Sequence, residues 1–469
     1  MRKSLIILLG AALAGLLATG CDLEAPGHST LTVEQPSGAA VFGNYVAAGN
    51  SLTAGFMDGG LMMAGQATSF PQLIATQMGY PAGSFMQPLL ASPGLGTRST
   101  GDPMIAGGVL RFDATTGMPT FLGTTPVTSV PSLLLTATWP VPFSNLGVPG
   151  ATLLDFSAAL DRTTSQAPGN AFFDLVLRNP TFGNKSMRDQ LIARGPTIAT
   201  LWLGNNDVLG GATSGQPNDG VLYPAEDVNL TPPALFGPMY ADMLDSVLDG
   251  VENRHGFRPL IFTANIPSIT SVPYFMPTAM FRQVAGLPDA GTLPVFTEEA
   301  DAPLVIFLDA MAYLGAGGTL PLPAATTLSA AETQLVGDTV DAYNAAIAAA
   351  VDARPEVFLY DANAALAALN PMAEGAHFLV LAGSVGPVTA AQTTLFSLDG
   401  IHPNNRGYGV VANGFLATMN ASLGTDFPMV DVGALTWDPT YGVGYGTGKA
   451  AESFSVTPEM AAAAKAIFR

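Results

Sequence analysis

Short, uncharged apolar runs separated by stretches of helical period set the frame for this 469-residue chain. Tyr45-Val-Ala-Ala48, Thr197-Ile-Ala-Thr-Leu-Trp-Leu203, Pro259 to Thr263 and Val357 to Tyr360 read as short buried strands. The segments between them read differently. Phe70 to Met78 and Ser186 to Ala193 have helical composition, and Met239 to Arg254 is an amphipathic helix. Ser329-Ala-Ala-Glu332 is a capping box, and Leu335, Val336, Val340, Tyr343, Ile347 and Val351 follow it at helical spacing. Asn404-Asn-Arg-Gly-Tyr408 lead into a further apolar helical stretch that runs to about Leu423. Strands alternating with helices fit an open α/β sheet, where sites gather beyond the carboxyl ends of the strands.

Four segments hold the residue types that acyl transfer requires. They are Gly49-Asn50-Ser51-Leu52, Asn145 to Thr152 with Gly150, Gly204-Asn205-Asn206-Asp207, and Asp399-Gly-Ile-His402-Pro403. Two of them directly follow predicted strands. Ser51 offers a hydroxyl nucleophile, which stays weak until a base takes its proton. His402 can be that base, histidine being the usual choice because its ordinary pKa lies near working pH. Asp399, three residues earlier, would fix the ring's tautomer and stabilise the imidazolium. Gly150 and Asn206 offer donors to an oxyanion, each worth roughly 3–4 kcal/mol when a single donor is deleted. Singly, each segment has a plain reading. Gly-x-Ser is a turn, Gly204 to Asp207 a strand-to-helix turn with capping residues, and His402 a loop histidine before proline. Their joint occurrence favours a catalytic reading. Of the other histidines, His28 lies in the linker, His255 sits at a helix end before Gly256, and His377 has Glu374 as its only local candidate orienter.

The set resembles the GDSL/SGNH hydrolase superfamily over about residues 41–424. The serine block falls on Gly49 to Leu52, with Asn50 where the usual motif has Asp. The family's oxyanion glycine falls on Gly150, its oxyanion asparagine on Asn206, and its Asp-x-x-His block on Asp399 and His402. The resemblance implies an α/β fold, a flavodoxin-like three-layer αβα sandwich with a mostly parallel sheet. It also implies a Ser51–His402–Asp399 triad, an oxyanion hole of the Ser51 and Gly150 N–H groups with the Asn206 amide, and ester hydrolysis without metal or cofactor.

The amino terminus predicts export. Arg2-Lys3, the apolar run Leu5 to Leu17 and the small residues Ala18-Thr19-Gly20 form a secretory signal. Its end resembles a bacterial lipobox, which implies lipidation of Cys21, the only cysteine of the chain. The plain alternative is a signal peptide followed by an incidental thiol. The chain carries 17 basic and 36 acidic residues. Loss of Arg2 and Lys3 leaves 15 against 36, a formal charge of −21. Such a chain is a poor partner for nucleic acid, and anionic lipid would repel it. Charged residues are 11% of the total, against about 25% ordinarily, so small and neutral residues must cover much of the surface.

The expected organisation is a signal peptide over 1–20, a linker over 21–40, a hydrolase domain over 41–424 and a carboxyl-terminal extension over 425–469. Two apolar insertions enlarge the domain, near 79–144 and 272–328. Phe70, Met86, Leu89, Leu90, Phe275, Met276, Met280, Phe281 and Phe307 would suit an acyl pocket or lid, or would pack the insertions onto the domain. Phe378 to Phe396 reads as buried or pocket-lining. The reading is a lipid-anchored serine esterase or lipase of the bacterial cell envelope, at the outer membrane or cell surface rather than the inner membrane. Its expected partners are a small-molecule or lipid ester and the membrane that holds its anchor. A deacetylase of surface polysaccharide and a non-catalytic lipoprotein binding apolar ligands are the alternatives.

Overall fold

The computed structural model describes residues 35–91, 94–96, 104–106, 108–115, 117–121, 125–127, 130–167, 169–220, 228–287, 296–298 and 302–440. Cys21, His28 and the signal segment lie outside them, as does the end of the chain after residue 440. The central sheet has five strands: β1 (Tyr45–Gly49), β2 (Asn145–Gly147), β3 (Ile198–Trp202), β4 (Leu260–Ala264) and β5 (Val357–Tyr360). Their order is β2-β1-β3-β4-β5, and every pairing is parallel. This is the flavodoxin-like order, whose direction reverses between β1 and β3.

Side chains alternate across each strand, so the sheet is buried on both faces. Val46, Ala48, Leu146, Leu201 and Ile261 join one core. Tyr45, Ala47, Ile198, Trp202 and Phe262 join the other. The first core is closed by α2 (Met187–Arg194), α3 (Asn206–Thr213), α4 (Pro233–His255) and α5 (Ala330–Asp352). There Phe236 of α4 and Tyr343 of α5 stack with ring centroids 3.8 Å apart. The second core is closed by α1 (Phe70–Gln77) and α6 (Asn405–Leu423), where Phe70 stacks on Phe415 at 5.0 Å. Burying each such ring contributes roughly 1.5–3 kcal/mol. Helices on both faces of a parallel sheet make the three-layer αβα sandwich expected from the sequence.

The local signals act as they should. Ser329 accepts from the Glu332 N–H while Glu332 accepts from the Ser329 N–H, closing the capping box of α5. Gly256, at φ +85°, ends α4 just after His255. One boundary differs: α4 begins at Pro233, six residues before the amphipathic pattern becomes legible. Pro233 lacks the N–H that a first helical position leaves unpaired anyway.

The insertions fold onto this frame as small antiparallel pieces. Residues 79–144 include the hairpin Leu110–Asp113 with Met118–Phe121 and the pair Met104–Ala106 with Thr125–Val127. The second insertion contributes a three-stranded sheet of Phe275–Pro277, Leu304–Ile306 and Thr327–Leu328. Residues 425–440 also pack down. Asn413 bonds both polar groups of the Val430 backbone, and Asn420 bonds the N–H and carbonyl of Phe427. No helix of the described residues is long and apolar enough to cross a membrane.

Candidate active site

Register brings the first three segments together. Gly49 of β1 pairs with Gly147 of β2 on one side and with Trp202 of β3 on the other. Three strands therefore end at one level, on either side of the reversal point. The loops leaving them carry Ser51, Gly150 and Asn206.

Ser51 is the first residue of a short helical turn, Ser51–Ala54. Its N–H has no acceptor within that turn and remains available to a ligand. Asn50 caps the turn by accepting from the Leu52 N–H at 3.0 Å, and its amide donates to Asn205 Oδ1 at 2.9 Å. A carboxylate could cap but could not donate. Asn50 thus ties the serine turn to the loop that carries Asn206. The turn lies hard against the sheet. A Cβ on Gly49 would sit 2.2 Å from Thr53 Oγ1 and 2.6 Å from the Trp202 carbonyl oxygen, so only glycine fits there.

His402 stands before α6, capped by Asn404, which accepts from the Arg406 and Gly407 N–H groups. Its Nε2 is 2.9 Å from Ser51 Oγ, and its Nδ1 is 3.0 Å from Asp399 Oδ2. Asp399 accepts at both oxygens and has no proton to give. The network therefore places the ring proton on Nδ1 and leaves Nε2 to accept from the serine hydroxyl. Ser51 is 7% exposed, whereas His402 and Asp399 are each 1% exposed. The hydroxyl borders the cleft and the carboxylate is sealed behind it. Phe56 covers the imidazole, with centroids 4.6 Å apart.

Asp399 holds its charge despite that burial. Burial alone would raise its pKa, but the His402 charge and the hydrogen bonds outweigh it and hold the carboxyl at about 2. Oδ1 accepts from the Ile401 and His402 N–H groups at 2.9 and 2.8 Å, and Oδ2 from the Gly59 N–H at 2.9 Å. The Gly59 bond is half of a reciprocal clasp that no local signal in the chain marks. Asp58, fully buried, accepts from the Leu398 N–H at 2.8 Å, while its own N–H donates to Ser397 Oγ at 2.9 Å. Trp437 Nε1 donates to the other Asp58 oxygen at 3.1 Å. The loop after the serine, the acid loop and the carboxyl-terminal extension are thereby locked together.

On the oxyanion side, Asn206 Nδ2 donates to the Ala151 carbonyl at 2.8 Å. An amide has two N–H groups, so one remains for the cleft that Asn206 lines. Gly150 precedes that carbonyl in a left-handed conformation, φ +80°, and Asn170 pins the loop by donating to the Pro149 carbonyl at 2.8 Å. Asp207, next to Asn206, braces the same loop by accepting from the Leu153 N–H at 2.9 Å and from Thr231 Oγ1 at 2.9 Å. Burial, with a smaller contribution from Asp155, pushes its carboxyl up to about 7 in spite of these bonds.

The two other described histidines have different places, His255 at a helix end and His377 packed against Gly400 of the acid loop. His255 Nε2 is 2.7 Å from the Ile192 carbonyl, at the end of α4. His377 is buried, and burial lowers its pKa to about 4, so it is neutral near pH 7. Among the described residues, no group of three His, Cys, Asp or Glu side chains is arranged to hold a metal.

A cleft enclosing about 890 Å³, its open mouth included, begins at Ser51, Asn206 and His402. Of the two readings open for the apolar residues of the insertions, packing is the one found, and of the second insertion only Val272, its first residue, reaches the wall. None of the nine apolar residues singled out from the sequence lines it. Phe70 lies in the sheet–helix core, and Phe275, Met276, Phe281 and Phe307 are buried within the packing of the second insertion. That insertion instead backs the acid loop: the Tyr274 N–H donates to the Gly400 carbonyl at 3.0 Å. The cleft wall comes from loops and helices at the carboxyl ends of β4 and β5, among them Ile269, Val272, Leu366 and Leu369. Leu395 and Phe396, the end of the segment read as pocket-lining, join it.

Comparison of the chain with family models, with curated proteins and with solved structures finds no match.

Proposed function

We propose that this protein is a serine hydrolase of the GDSL/SGNH type acting on carboxylic esters. The observation that carries the reading is the continuous chain of Ser51 Oγ, His402 and Asp399, with links of 2.9 and 3.0 Å, opening into an apolar cleft. Ser51 Oγ attacks the acyl carbon as its proton passes to His402 Nε2. The carbonyl oxygen becomes the oxyanion, facing the Ser51 and Gly150 N–H groups and the free N–H of Asn206. Collapse returns the proton from Nε2 to the departing alcohol and leaves an acyl group on Ser51. Water, deprotonated by the same nitrogen, then releases the carboxylic acid. Asp399 stays ionised throughout, consistent with its lowered pKa.

A purely binding role gives no reason for a base within hydrogen-bond reach of a serine hydroxyl. A polysaccharide deacetylase would have to place sugar hydroxyls against leucine, isoleucine and valine, where they would lose their hydrogen bonds. Both alternatives are therefore disfavoured. The test is hydrolysis of p-nitrophenyl esters by the mature protein. Ser51→Ala and His402→Ala should each remove nearly all activity, and the double variant should be little worse, because the two act as one unit. An active Ser51→Ala protein overturns the proposal.

The amino-terminal segment supports export and anchoring to the bacterial cell envelope, at the outer membrane or cell surface, through lipid on Cys21. Several acyl chains hold a protein stably where one alone would not. Mass spectrometry of the mature terminus should find acylated Cys21. An unmodified terminus, or cleavage elsewhere, overturns the anchor.

A further inference from the structure

We infer that the site takes esters of medium- to long-chain fatty acids, with the acyl chain laid across the carboxyl ends of β3, β4 and β5. This inference rests on the hydrolase reading and specifies its substrate. The cleft walls follow sheet order. Ser51 and Leu52 stand at the end of β1, Trp202 at the end of β3, Pro267 and Ile269 after β4, and Tyr360, Ala365 and Leu366 at and after β5. From β1 to β5 is three inter-strand steps, or about 14 Å at roughly 4.8 Å each. An extended tetrahedral chain advances about 3.5 Å over three bonds, so about 14 Å accommodates on the order of twelve. A ten- to twelve-carbon acyl chain fills that length.

The chemistry along the cleft separates an acyl tail from an alcohol headgroup. The groups that can bond a carbonyl cluster at one end, at Ser51, Asn205, Asn206 and His402. Beyond them the wall is carbon apart from the Tyr360 phenol, whose hydroxyl lies beside Gly414 of α6. The one ring N–H there, Trp202 Nε1, is already given to the Asn265 carbonyl at 3.2 Å. A glycerol, sugar or phosphate headgroup would lose hydrogen bonds in such a place, whereas a methylene chain loses none. The wall residues that would set chain length are also free to change. Ala365, Leu366 and Leu369 are only half-buried, on the helix Ala362–Ala367 and just after it. They are specificity determinants, well separated in sequence from the reacting groups.

The experiment measures kcat/KM of the mature protein on p-nitrophenyl esters from acetyl to hexadecanoyl, below their aggregation limits. Labelling of Ser51 by a fluorophosphonate is read in parallel. The native profile should climb by up to about four-fold per methylene and level off near ten to twelve carbons. Ala365→Trp should lower the dodecanoyl-to-butyryl ratio at least ten-fold, and Leu369→Ala should move the plateau to longer chains. Two variants of opposite effect keep the test decisive if one folds poorly. A profile that is flat or falls with length, and that neither variant moves, overturns the inference while labelled Ser51 keeps the hydrolase reading. No labelling and no turnover on any ester overturns both.

Discussion

Asp399→Asn isolates the step on which the whole reading depends, the orientation of His402. The native carboxylate meets four N–H groups, three from backbone that cannot turn away: Ile401 and His402 on Oδ1, Gly59 on Oδ2. An amide has one accepting oxygen. If its nitrogen takes the Oδ1 place, two backbone donors face a donor. If it takes the Oδ2 place, only Gly59 does. The second arrangement is preferred and costs about 1–3 kcal/mol for one unpaired buried donor. In a chain of this size that is a fall of only several degrees in Tm. The consequence for the base is far larger. The amide now donates to His402 Nδ1, the ring proton moves to Nε2, and Nε2 can no longer accept from Ser51. The expected loss in kcat is about 10⁴-fold, or roughly 5.5 kcal/mol of barrier. Steady-state hydrolysis of a p-nitrophenyl ester, with a thermal melt of the same sample, measures both quantities. A folded Asp399→Asn protein with kcat within ten-fold of native would refute the reasoning, and Ser51 and His402 would then act as a dyad.

Asn206→Ala should cut kcat by roughly 10²–10³ with KM changing much less, since its donor meets full negative charge only in the transition state. An unchanged melt with kcat within a few-fold of native would make the side chain structural, through its bond to Ala151. Asp207 gives a pH test of stability. Its carboxyl is raised from 3.8 to about 7, so its contribution is fully present below about pH 4 and is lost as pH rises through 7. The difference is about 4 kcal/mol. Asp207→Asn can keep both bonds, because Thr231 can turn its hydroxyl to accept. Denaturant titrations from pH 4.5 to 8 should show native stability falling and the variant nearly flat and more stable at pH 8. Parallel curves would contradict the assignment. Asp399 works oppositely: its pKa is depressed to about 2, so its contribution is lost only as pH falls from about 4 towards 2.

Much of the site was legible because its parts are local signals. A strand end, a capping residue and Asp-x-x-His each announce themselves within a few residues, and parallel register then assembles them. Four of the five sheet strands were readable as apolar runs. The fifth, Asn145–Gly147, was not, because it is three residues at the sheet edge and opens with a polar side chain. Asn145 has a structural task there, donating to the Thr53 carbonyl and accepting from the Gly147 N–H. What sequence could not supply was pairing at long range. The Asp58 clasp joins residues about 340 positions apart in the chain, through an ordinary-looking Asp-Gly turn. Sequence left the acyl wall open for a similar reason. The most apolar segments lie in the insertions, but apolarity marks burial in general, and those residues bury one another. The cleft is lined instead by residues such as Ala365, Leu366 and Leu369, in an alanine-rich stretch that has no run of large apolar side chains.

The most direct measurement of the central claim is active-site labelling. The mature protein is reacted with a fluorophosphonate, digested and mapped by mass spectrometry. One stoichiometric adduct is expected, on the peptide containing Ser51, with the labelling rate falling by orders of magnitude in His402→Ala. An unlabelled Ser51 in a folded protein, or labelling as fast without His402, would contradict the account.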